Sequence, residues 1–188
     1  MDTTPIEGDL QFVKEVLRKS EGKRSPRTIY FLWAAIVLVG FALVDFAPVR
    51  VGIYWMIAGP AGGVISAILG YREGQRLGQR DADIGIRHCL HWLGMMGAIA
   101  LVVILGITGA VGQVNLGRII LVIVALGYFL AGIHLERPLM WIGLLMGTGY
   151  VAILFISGHT WTVVGAIIAI SMVAAAFTGE RQSGATVS

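Results

Sequence analysis

Apolar residues in this chain fall into six long runs, at residues 28–46, 52–71, 89–111, 118–135, 138–156 and 160–177, separated by short polar breaks. About 20 residues of helix cover the hydrocarbon of a bilayer, and each run is close to that length. None alternates apolar with polar positions as a barrel strand does, so helices are the economical way to satisfy the backbone in lipid. The pattern predicts an all-α integral membrane protein with six transmembrane helices in residues 28–177.

The two flanks differ from this middle. In residues 1–27, Asp9 is a suitable N-cap, Leu10, Val13, Val16 and Leu17 recur at helical spacing, and Gly22 is a stop. With Lys14, Arg18 and Lys19 beside that stripe, the leader predicts a short amphipathic helix on the cytoplasmic membrane surface. A plain charged leader that holds the amino terminus inside explains the same residues. The first long run begins near Tyr30 and is too long for a signal-peptide core, so no cleavable signal is expected. Residues 178–188 read as a disordered cytoplasmic tail.

Composition agrees with a lipid solvent: 56% of the residues are hydrophobic and 13% charged, against about 25% charged in a soluble domain. The net charge of +3 is then a matter of topology, and no nucleic-acid partner is expected. Lys14, Arg18, Lys19, Lys23, Arg24, Arg27, Arg72, Arg76, Arg80, Arg87, Arg137 and Arg181 fall on one side of a six-span chain, leaving Arg50 and Arg118 on the other. That distribution puts both termini in the cytoplasm and the chain in the cell (inner) membrane. The lone Cys89 excludes an internal disulfide.

The second run contains Gly59, Pro60, Gly62 and Gly63, followed by Ser66. Proline removes a backbone donor and the glycines remove bulk, which predicts a kinked or partly unwound helix at mid-depth. A fainter echo, Gly147, Thr148 and Gly149, lies in the fifth run. Aligning Trp55 with Trp141 sets Gly63 against Gly149, and His91 and Gly97 have counterparts in His159 and Gly165. Two three-span halves related in this way form a 3+3 inverted repeat, with Gly59, Pro60, Gly62, Gly63 and Ser66 facing Gly147, Thr148 and Gly149 across a path. Close packing of small residues is the plainer explanation of the same glycines. At the turn after the first run, Asp45 and Arg50 are expected to pair.

No Asp, Glu, Lys or Arg lies near the centre of any run, so a conducted species would be small and neutral. His88 and His91 share a helical face and His134 falls on the same side of the membrane. With Cys89, Asp83 or Glu136 they form a candidate transition-metal or haem site. Residues 72–87 read as a polar extension of the second helix and a turn, with Arg72, Arg76 and Arg80 on one face toward anionic lipid or an acidic cytoplasmic protein partner. There is no phosphate-binding loop, zinc-protease helix or nucleophile elbow, which favours a non-enzymatic role.

Three roles follow. The first is a channel or transporter, with small-residue ridges that suit a homo-oligomer. The second is a non-transporting scaffold, sensor or accessory subunit that works through the leader and the arginines. The third is a haem or metal redox subunit.

Overall fold

The computed structural model describes residues 25–76 and 82–177, with the side chains of residues 82–84, 113 and 114 left aside. The leader's amphipathic stretch, Arg80 and the tail after Phe177 lie outside the described residues. Among the described residues six helices follow in order: α1 Arg27–Phe46, α2 Pro48–Arg76, α3 Ala82–Ile107, α4 Gln113–His134, α5 Arg137–Phe155 and α6 Thr160–Phe177. Each is long and apolar enough to cross a membrane, and the described residues contain no strand, so the chain fits a multi-pass membrane protein.

The helix ends depart from the hydropathy boundaries where polar residues continue a helix. Pro48 opens α2 instead of separating it from α1, since a missing N–H costs nothing at a first helical position. The expected polar extension of α2 runs on to Arg76, and α3 begins at Ala82, ahead of its apolar run. Between α3 and α4 the chain turns at Gly109, whose φ of +76° suits glycine.

Among the described residues the helix backbones pack in the series α2, α1, α6, α5, α4, α3, and the Trp161 side chain of α6 also reaches Gly117 of α4. The most extensive contacts are α1 with α6 and α4 with α5. Glycine sets the second of these: a side chain at Gly132 would overlap the Met140 backbone, and one at Gly143 the backbone of Phe129. Absence of a Cβ lets the two helix backbones meet, the usual route to tight packing in lipid. Ile142 and Met146 of α5 and Ile168 and Met172 of α6 are fully buried, so the interior made by α1, α4, α5 and α6 is filled with side chains.

α2 and α3 are different. Only 6% of the apolar spanning stretch is buried in each, against 28–39% in the other four helices. α2 leans on α1 through the Trp55 ring at Gly40, a hydrogen bond from Tyr54 Oη to the Ile36 carbonyl (2.8 Å) and another from Trp33 Nε1 to Ser66 Oγ (3.0 Å). α3 rests on α4, where Met95 covers Gly127. Although consecutive in sequence, α2 and α3 make no close backbone approach among the described residues.

Candidate functional site

The residues expected to frame a path are not brought together. α2 and α5 make no contact, and two helices, α1 and α6, stand between them in the packing series. Gly62 and Ser66 face α1, where Gly62 meets Ile36 and Trp33 and Ser66 accepts the Trp33 hydrogen bond. Gly149 is buried under Val164 of α6, and Thr148 is exposed, its hydroxyl returned to the Leu145 carbonyl (3.0 Å). Gly59, Gly63 and Gly147 have open space where a side chain would be.

Nor is α2 interrupted: it stays helical from Pro48 to Arg76, with Pro60 inside it and exposed. A proline deletes one donor and crowds the preceding turn, and with no neighbouring helix against the ring the helix absorbs it. The consequence is local. The Met56 carbonyl, four residues earlier, lacks its usual i+4 N–H donor.

Positions aligned between the two halves also have unequal surroundings. Gly63 is open and Gly149 packed, while Gly97 is open and Gly165 lies against Phe41.

At the end of the bundle carrying most of the arginines, a carboxylate ties distant segments. Glu136, at the N-cap of α5 and 5% exposed, accepts the Ser25 N–H (2.9 Å) and the Ser25 hydroxyl at Oε1, and the Tyr30 hydroxyl (2.9 Å) at Oε2. His88 is within electrostatic reach of both Glu136 and His91. His91 donates from Nε2 to the Gly127 carbonyl at 3.0 Å, since a carbonyl oxygen can only accept. Its ring stands edge-on to Trp92, which in turn meets Tyr128.

His134 and Cys89 are exposed. Among the described residues no three His, Cys, Asp or Glu side chains gather as a metal would require. Arg72 and Arg76 are exposed on the α2 extension, Arg76 lying 3.6 Å from Glu73.

At the opposite end, Asp45 does not take Arg50 as its partner. It accepts the backbone N–H of Thr162 (2.8 Å) and the Thr162 hydroxyl (2.6 Å), while Arg50 is exposed. The reason is the start of α6, whose first N–H groups have no acceptor within their own helix. Nearby, a cleft of about 390 Å³ opens between the turn at residues 110–112, the start of α4 and the end of α5. Asn115, Arg118, Ile119, Tyr150 and Leu154 line it.

From the sequence, Glu136 reads only as a candidate metal ligand and Arg118 only as a charge. The signals for more were an acid immediately before a helix start and an arginine on the side that the charge distribution leaves nearly bare. Compared with known protein families, with curated proteins and with solved structures, the chain has no match.

Proposed function

We propose that this chain is a self-associating protein of the inner membrane that binds or passes a small neutral solute along the open side of α2, with a second copy supplying the opposite wall. The observation that carries the reading is the position of the Gly59, Pro60 and Gly63 strip. It lies on a helix that touches only α1, with open space at both glycines, while the interior of the other four helices is filled by Ile142, Met146, Ile168 and Met172. Small residues at open positions allow close approach of another helix, and the Met56 carbonyl, without its i+4 donor, offers a polar atom within the span. The lack of ionised groups mid-span favours a neutral cargo.

A 3+3 inverted relation belongs to the same proposal. Exchanging the halves carries the α1–α2 contact onto α4–α5 and the α1–α6 contact onto α3–α4, and all four pairs pack. The α5–α6 contact would map onto α2–α3, which stand apart. Both termini are assigned to the cytoplasm on the distribution of Lys and Arg.

The test uses single cysteines at Met56 and Ala67, in a Cys89→Ser background, for cross-linking in native membranes, together with solute flux in proteoliposomes. Cross-linked dimers and flux that Gly63→Leu abolishes are expected. Dimers without flux would favour the scaffold reading, which the exposed Arg72 and Arg76 also suit. Absence of both dimers and flux would end the proposal.

A further inference from the structure

We propose that the cleft around Arg118 is a binding site for the phosphodiester of an anionic phospholipid. Arg118 is half-buried in the cleft, with Asn115 and Tyr150 beside it. Among the described residues none of these three side chains has a hydrogen-bond or ion-pair partner within the chain. The lining holds one cation and no carboxylate, so a net-negative headgroup is favoured and a zwitterion's ammonium finds no anionic partner. An arginine fork with a phenol and an amide beside it is a donor set suited to phosphate oxygens.

The rim selects a lipid over a free anion. Ile119 and Leu154 line the same cleft and are 37% and 42% exposed on helices that read as membrane-spanning, so acyl chains have an apolar surface beside the cation. The depth also fits. Arg118 lies in the first turns of α4 and Tyr150 in the last turns of α5, within roughly 8 Å of the helix ends at 1.5 Å per residue. That is the headgroup level, where tyrosine and a snorkelling arginine are at home. At about 390 Å³ the cleft falls within the roughly 300–1,000 Å³ of small-molecule sites.

The test is native mass spectrometry of the full chain in detergent with phosphatidylglycerol or phosphatidylcholine added. Wild type is expected to retain phosphatidylglycerol preferentially, and Arg118→Gln to lose that retention about tenfold while phosphatidylcholine adducts stay as they were. Arg50→Gln, at the same end but outside the cleft, should behave as wild type. Should Arg118→Gln not elute as a monodisperse species, Tyr150→Phe and Arg118→Lys are the replacements, both expected to weaken retention. Equal losses for Arg118→Gln and Arg50→Gln, or no loss in any cleft variant, would overturn the site. Displacement of the lipid by excess inorganic phosphate would replace the lipid with a free anion and overturn the assignment of the ligand.

Discussion

Asp45 at the end of α1 closes the first turn of α6 by accepting both the backbone N–H and the hydroxyl of Thr162, at 2.8 and 2.6 Å. It acts as an N-cap supplied from another helix, and loss of such a cap costs about 1–2 kcal/mol. Asp45→Ala is therefore expected to lower the unfolding midpoint in detergent, with Asp45→Asn losing less because the amide oxygen still accepts. Arg50→Ala should leave the midpoint unchanged, and a drop equal to that of Asp45→Ala would restore the Asp45–Arg50 pairing.

Glu136 holds three donors with one buried carboxylate. Removing it leaves Ser25 and Tyr30 to find other acceptors, at a cost of roughly 2–3 kcal/mol for charge-assisted bonds. Glu136→Ala is expected to unfold earlier and to be cut faster by trypsin after Arg27, where α1 begins. Glu136→Gln should recover much of the loss, because its carbonyl can serve Ser25 while the Tyr30 hydroxyl turns to accept from the amide. Equal behaviour of the two variants would show that hydrogen bonding at this carboxylate is not what anchors α1.

Glycines of the same helix separate by surroundings. Gly143→Val forces a side chain into the α4 backbone and is expected to cost about 3 kcal/mol or more, whereas Gly147→Val enters open space and should stay within about 0.5 kcal/mol of wild type. Thermal unfolding of the pair in one detergent is the check, and similar midpoints would contradict the α4–α5 contact.

Pro60 offers a test that separates stability from activity. Pro60→Ala restores the N–H that the Met56 carbonyl lacks and is expected to hold or raise the unfolding midpoint. In proteoliposomes the same change should lower solute flux, since the free carbonyl at mid-depth disappears. Unchanged flux in a well-folded variant would remove Pro60 from the transport proposal.

The number and kind of elements were legible because a membrane-length apolar run has few competing explanations, and α6 spans 160–177 as its hydropathy predicts. Starts and stops were less so. The polar extension of α2 was legible in residues 72–87, but the start of α3 at Ala82 was not, because its mixed residues 82–88 fall outside the apolar run. Partners were not legible at all: Asp45 and Thr162 are 117 positions apart, Ser25 and Glu136 111, and an apolar helix in lipid advertises no preferred neighbour. Glycine content marked α2 strongly and α5 more faintly. Whether a glycine packs, as Gly143 does, or faces open space, as Gly59 and Gly147 do, depends on which helix comes alongside.

The packing series also orders events during synthesis. α1 finds α2 as soon as that helix emerges, but its most extensive partner is α6, so much of the α1 surface stays in lipid until the whole bundle has been threaded into the bilayer. α2 and α3 cannot wait for each other as a helical hairpin, and α3 remains solitary until α4 arrives. A ribosome stalled before residue 160 thus leaves a chain whose α1 lacks both its Thr162 latch and its main packing face, a species that membrane quality-control proteases are equipped to remove.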